Sequence, residues 1–326
     1  MSFKIPSLYS GGIITNYFCS SKCRHCLYRC SSILPKKFID LEMVNTICEV
    51  IQKKGNPTLH IGGGEPFLKA EKLPKVVDLI LTHGFFIEYI ETNSSWWKDE
   101  SSANLILRKL KKAGLNDLLI SISPFHNEYI PFYKVINVMN SAKKLGFSIL
   151  PWVADFISDI TTLDINTTHT LEEFEKVFGS EYKKSILNRY WIHIGGRAIE
   201  FLDDILPKKT LKEILKSSPC NRDLENTSHF HIDLYGNYIP GLCSGLAIKV
   251  EDILNTINEK KYPLLNILHK YGVKGLYEFA KTYFGYVPKK DLYINKCHLC
   301  LEIRDFLKKE KHADFLELNP MDFYMS

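Results

Sequence analysis

Six short apolar runs, at residues 12–17, 58–61, 86–91, 118–122, 147–153 and 190–194, alternate with amphipathic stretches at 41–54, 72–83, 102–113, 133–145 and 171–177. Strands buried on both faces read as such near-continuous apolar runs, and the intervening stretches carry helical periodicity. Four of the helical stretches stop at a glycine (Gly55, Gly84, Gly114, Gly146), the residue that ends a helix without a Cβ penalty. Repeated βα alternation predicts a parallel sheet with helices packed outside it. Six such units suit an open doubly wound sheet or an incomplete barrel. In both, ligands gather at the carboxyl ends of the strands.

After residue 215 the rhythm changes. Segments 229–234 and 238–242 flank Tyr235-Gly236-Asn237 and read as a β-hairpin turning at Gly236-Asn237. A helical stretch follows over 263–284, and Cys297-x-x-Cys300 then leads into 301–309. The expected division is 10–215 and 216–326, the second part a small α+β unit bearing cysteines. The net charge of +5 arises from scattered pairs such as Lys36-Lys37 and Lys260-Lys261. The absence of one basic block argues against a dedicated nucleic-acid surface. No apolar run reaches the roughly 18 residues of a membrane span, and residues 1–6 carry no signal-peptide apolar region. A soluble cytoplasmic protein is expected.

In a reducing compartment disulfides are rare, so nine cysteines point to metal or redox chemistry. Cys19-x3-Cys23-x2-Cys26 lies in the loop after the first strand, with Cys30 close behind. Cys48 falls inside an apolar helical pattern and reads as core. Cys220, Cys243, Cys297 and Cys300 gather in the last third. Three thiolates on one loop can hold three corners of an iron–sulfur cube and leave the fourth iron open. With Cys30 added, the same loop suits a four-ligand structural zinc site. Gly62-Gly63-Gly64-Glu65-Pro66 follows the second strand. Glycines there let a ligand approach the backbone, whose carbonyls can accept hydrogen bonds from a cationic amine. Neither G-x-G-x-x-G nor Gly-Lys-Ser/Thr is present, which weakens a phosphate-loop reading.

The cysteine loop after strand one and the Gly-Gly-Glu after strand two together resemble the radical S-adenosylmethionine (radical SAM) superfamily. Glu91-Thr92-Asn93 and Ser121-Ile122-Ser123 are weaker matches, and the resemblance covers about residues 10–210. It implies a partial (β/α)6 TIM-type barrel in which Cys19, Cys23 and Cys26 hold a [4Fe–4S] cluster. The open iron would take the amino and carboxylate groups of SAM, with Gly63, Gly64 and Glu65 on the amino group and His25 near the adenine. Asn93, Ser121 and Ser123 would face the ribose or carboxylate, or else cap loops. A low-potential donor such as flavodoxin or ferredoxin would supply the electron. The 5′-deoxyadenosyl radical so formed would remove a hydrogen from an unactivated C–H.

Cys220, Gly236 and Cys243, spread across the hairpin, are similar to the start of the family's SPASM extension. The glycine-to-cysteine spacing is longer than in that pattern, and no cysteine follows Cys300. Cys220, Cys243, Cys297 and Cys300 therefore suit one auxiliary [4Fe–4S] cluster, the shorter twitch arrangement, or a zinc ribbon-like site. Asp155 and Arg197, at expected strand ends, are the candidates for catalytic contact with substrate. His193 lines the pocket or packs in the core. The resemblance implies oxidative modification of a peptide or protein side chain. The alternatives are a small-molecule dehydrogenase or cyclase, and a zinc-stabilised binding module without catalysis.

Overall fold

The computed structural model describes residues 3–325. Strands β1 (Gly11–Ile14), β2 (Thr58–Gly62), β3 (Phe86–Thr92), β4 (Asp117–Ser121) and β5 (Ser148–Trp152) pair in parallel, in the spatial order 5-4-3-2-1. Helices Leu41–Lys53, Leu73–Thr82, Glu100–Lys112 and Phe132–Lys144 make the crossovers. Their ends follow local chemistry. The Asp40 and Asp99 carboxylates accept from the Met43 and Ser102 N–H groups at 2.8 Å, and the four stop glycines take left-handed φ. The fold class is α/β with a parallel sheet, as the alternation predicts. Among the described residues no helix is long and apolar enough to cross a membrane.

The sixth parallel strand is not where the sequence pattern puts it. Residues 191–193 form no strand; Tyr190 ends helix Tyr182–Arg189, and Trp191 is 73% exposed. The apolar side chains of this run face a cavity and solvent, with no strand beside them. After the short β6 (Lys209–Thr210), strand β7 (Phe230–Asp233) pairs in parallel with β1 on the edge away from β2. β8 (Asn237–Ile239) and β9 (Ile248–Lys249) extend that edge antiparallel, while β10 (Leu292–Tyr293) pairs with β6 in a separate ribbon. One open eight-stranded sheet, 5-4-3-2-1-7-8-9, thus takes strands from both sides of residue 215.

β1 begins with glycines, and its neighbour β7 packs closely against the first of them. A Cβ on Gly11 would lie 2.3 Å from the Phe230 carbonyl oxygen. The hairpin turn also falls two residues earlier than the pattern suggests. Gly236 N–H donates to the Asp233 carbonyl at 2.9 Å with φ of 68°, so Leu234-Tyr235 make the turn and Gly236 closes it. Helix Pro263–Phe284 packs beside helix Lys296–Asp305, whose first turn is capped by Asn295 and carries Cys297 and Cys300.

Candidate active site

A cavity of about 340 Å³ lies at the carboxyl ends of the parallel strands. Cys19, Cys23, Cys26 and Cys30 enter it from the loop after β1. The loop is held by its own backbone: Cys26 N–H donates to the Cys23 carbonyl at 3.2 Å, and Cys19 N–H to the Ser31 carbonyl at 3.1 Å. Arg197 forks onto the Cys23 and Cys30 carbonyls, both at 3.0 Å. Its own N–H donates to the Cys26 carbonyl at 3.0 Å. The sulfurs are met by N–H donors. Cys19 Sγ accepts from the Ser21 N–H and from Asn93 Nδ2, each at 3.4 Å, and Cys26 Sγ accepts from the Cys30 N–H at 3.3 Å. Burial pushes the Cys19 thiol up to about 12 and the Cys23 thiol well above its usual value. A hydrogen bond from Cys30 draws Cys26 down to about 6. The bare thiols are therefore disfavoured as anions at two of the three positions, and a metal centre that neutralises them would displace those protons.

The glycine motif after β2 runs hard against the segment entering the cysteine loop. Gly64 N–H donates to the Asn16 carbonyl at 2.7 Å, and Glu65 N–H to the Phe18 carbonyl at 3.2 Å. A Cβ on Gly63 would lie 2.5 Å from Asn16 Oδ1, and one on Gly64 2.3 Å from the Phe18 carbonyl oxygen. These glycines are required by the chain itself, whatever ligand approaches. Glu65 is fully buried and ties β2 to β3. Its carboxylate accepts from Phe67 N–H (3.1 Å), the Thr92 hydroxyl (2.9 Å) and Asn93 N–H (2.6 Å). Burial still outweighs these donors and raises its carboxyl to about 7.

A second, smaller cavity of about 40 Å³ brings Cys220, Cys243, Cys297 and Cys300 together from the start of a short helix, the end of the hairpin and helix Lys296–Asp305. Arg304 is buried beside it and donates to the Ser244 carbonyl at 2.8 Å; Lys296 pairs with Asp223 at 2.7 Å. Both cations lie where they favour anionic sulfur. Burial nevertheless raises Cys220 to about 12 and Cys297 to about 11. His193 and Leu242 line both cavities.

The family model of the radical SAM superfamily matches residues 13–178. The chain belongs to this superfamily. No match was found among curated proteins. Among solved structures, the chain is similar to native anSMEcpe with bound AdoMet, at 17% identity over 93% of this chain and 97% of that one, with a TM-score of 0.45. It is also similar to BtrN in complex with AdoMet and 2-DOIA, at 15% identity over 82% and 90%, with a TM-score of 0.45. The match to methylornithine synthase (PylB) has 17% identity and a TM-score of 0.34; it covers 44% of this chain and 44% of that enzyme's length. As a radical SAM enzyme the chain works with a [4Fe–4S] cluster, SAM and a reductant. The loop fits such a cluster: three cysteines converge on one cavity, and N–H donors already face two of the sulfurs.

Within this radical SAM enzyme the sequence-selected residues fall into two groups. Cys19, Cys23, Cys26, Gly63, Gly64, Glu65, His25, Asn93 and Ser121 all line the large cavity. His25 packs among Phe125, His126 and Tyr190, with ring centroids 4.7, 5.0 and 5.3 Å away, and its buried Nδ1 has no hydrogen-bond partner. Asn93 accepts from the Ser95 N–H at 2.9 Å, a loop-capping turn, while its amide reaches Cys19. Ser123, Asp155 and Arg197 lie outside the lining. Ser123 caps helix Pro124–Asn127, its hydroxyl 2.7 Å from His126 Nδ1, and Asp155 is exposed. Arg197 acts on the loop carbonyls. Cys48 is fully buried, as its helical pattern predicts. Sequence reasoning passed over Glu91, whose carboxyl is raised to about 7 by burial alone, and over Tyr28, His229 and His231, which also line the cavity. Their signals were present: Glu91 begins the Glu-Thr-Asn end of β3, and His229-x-His231 enters β7 on one face.

Proposed function

We propose that the chain cleaves SAM reductively and uses the resulting radical for a two-electron oxidation of a peptide or protein side chain. The observation that carries this reading is the common wall of the two cysteine-lined cavities, formed by His193 and Leu242. Cys19, Cys23 and Cys26 would hold the cluster that binds SAM; with SAM bound it supplies the 5′-deoxyadenosyl radical. Gly63, Gly64 and Glu65 would receive the SAM amino group, His25 the adenine, and Asn93 and Ser121 the ribose or carboxylate. Cys220, Cys243, Cys297 and Cys300 would hold a second, fully ligated [4Fe–4S] cluster in a twitch-like unit after about residue 215, which supplies an electron acceptor. In balance, the substrate gives one hydrogen atom to the radical and then loses one electron and one proton. One SAM is consumed per turnover. Exposed Trp152 and Trp191 at the cavity mouth offer a peptide flat apolar faces. A second reading keeps the chemistry on a small alcohol or amine, favoured by the polar interior that Glu91, Tyr28, His229 and His231 provide.

The test is anaerobic reconstitution with iron and sulfide, then SAM and dithionite. The expected outcome is 5′-deoxyadenosine and methionine, lost when Cys19, Cys23 and Cys26 are all changed to Ala. Iron should then fall from about eight to about four per chain, counting two cubes. Undiminished SAM cleavage in that triple variant overturns the assignment. Colourless zinc-loaded protein supports a binding module instead. Deuterium transfer into 5′-deoxyadenosine from labelled peptides, against labelled small alcohols and amines, separates the two substrate classes.

A further inference from the structure

His60 on β2 and His231 on β7 stand in one row, each paired in register with Gly12 of the intervening β1. A side chain at the middle position would hold the two imidazoles apart. Gly12 has none, and a Cβ there would lie 2.4 Å from the His60 ring. The rings therefore meet above β1 with their Nε2 atoms 3.0 Å apart. His229, two residues before His231 and so on the same face, stacks on His60 at 5.1 Å between centroids and meets His231 edge-on at 4.8 Å. One ring nitrogen from each of the three lies within 4.8 Å of the other two. On its far side, His231 Nδ1 is 2.7 Å from the Tyr28 hydroxyl.

We propose that His60, His229 and His231 form a site for a zinc-type divalent transition-metal ion, open to the active-site cavity. A buried hydrogen bond accounts for the His60–His231 pair but not for a third imidazole brought to the same point. Imidazole sets select zinc, copper, iron or nickel over magnesium and calcium. Nitrogens on a tetrahedral ion at about 2.0–2.1 Å lie roughly 3.3–3.4 Å apart, close to the spacing of His60 and His231. The widest pair must draw in by up to about 1.5 Å to reach that spacing, which rotation of half-buried His229 can supply. The Tyr28 contact matches the outer hydrogen bond that orients a ligand imidazole. Three protein ligands leave a fourth position, as in catalytic rather than structural zinc sites. Because His229 and His231 line the large cavity, that position faces the space assigned to substrate. Its ligand is a substrate oxygen or nitrogen next to the C–H to be oxidised; this last step rests on the proposed radical reaction, whereas the metal site does not.

The test uses protein already loaded with iron and sulfide, so that the cysteines are occupied, with cobalt(II) as the probe. The expected result is one cobalt per chain above the cluster iron, with ligand-field absorption and no thiolate-to-cobalt charge-transfer band. His231→Ala and, separately, His229→Ala should weaken cobalt binding at least tenfold while the cluster iron stays constant. His229 is half-buried, so its variant decides the question if His231→Ala fails to fold. No cobalt above the cluster iron, a thiolate charge-transfer band, or full retention in His229→Ala each overturn the proposal. Cobalt bound to protein that cleaves no SAM would overturn the radical reaction and leave the metal site standing.

Discussion

Arg197 binds the cysteine loop through carbonyls that no sequence motif marks. Its two-pronged contact with Cys23 and Cys30 fixes both ends of the segment that carries Cys26. A planar guanidinium makes that fork and a lysine does not. Arg197→Lys should therefore lower cluster iron at the first site, and with it SAM cleavage, at a stability cost of about 1–3 kcal/mol, chiefly for the Cys30 carbonyl, since the Cys23 carbonyl keeps the Cys26 N–H. Iron analysis and 5′-deoxyadenosine yield check this. Normal iron with uncoupled SAM cleavage intact and only product lost would instead place Arg197 against substrate. Glu91 carries a pH-dependent prediction. Its carboxyl rises from 4.5 to about 7 in the folded state, with burial the cause. The folded chain thus holds that proton more tightly than the unfolded chain, and stability falls as pH rises from about 4.5 through 7. Glu91→Gln should be more stable than the parent at pH 8, by at most about 3 kcal/mol, and equal to it near pH 4.5. Apparent Tm under argon at the two pH values decides; a constant difference would remove Glu91's ionisation as the cause. The cysteines and Gly-Gly-Glu could be assigned to one site because together they resemble a known family pattern, although the cysteine spacing by itself also suits zinc. Arg197 and Glu91 could not, because their roles depend on which carbonyl or cavity the folded chain sets beside them.

The elements show the same division. The first five strands and their helices could be read from apolar runs and stop glycines, since both are local signals. The run at 190–194 has the same composition as a strand but no neighbour to pair with, while 229–234 reads locally as a hairpin arm. Its parallel partner, β1, is more than two hundred residues away. Nothing local encodes that pairing except the absence of side chains at Gly11 and Gly12. Glycine positions accordingly carry two separable demands. At Gly84 the demand is only conformational: φ is 81° and a Cβ would meet nothing within 4 Å. At Gly64 it is steric, against the backbone of Phe18. Gly84→Ala should cost roughly 1 kcal/mol. Gly64→Ala should cost more than about 2 kcal/mol, because backbone on both sides must move. Thermal unfolding of the two variants side by side checks the ordering, and equal losses would mean that the β2–loop contact yields easily.

At the scale of the whole molecule, the sheet brings the two cysteine groups to one region although Cys26 and Cys220 stand far apart in the chain. The pairing of β7 with β1 fixes the hairpin beside the cysteine loop, and the end of the hairpin delivers Leu242 and Cys243 to the second cavity. Helix Lys296–Asp305 closes that cavity with Cys297, Cys300 and the buried Arg304. In the proposed second cluster these four cysteines would take all four irons of a cube and leave none for substrate, and the nearby Arg304 guanidinium would favour its reduced, more negative form. The arrangement suits an electron acceptor separated from the substrate cavity by one layer of side chains, His193 and Leu242. Cys297→Ala combined with Cys300→Ala should then halve the iron, spare 5′-deoxyadenosine formation and stop product formation. Arg304→Met should keep the cluster and shift its potential downward, since removing the cation destabilises the reduced state. Iron counts, deoxyadenosine yield and a redox titration followed by electron paramagnetic resonance read these outcomes. A signal from the second cluster that changes when substrate is added would mean an iron open to substrate, and would overturn the acceptor role.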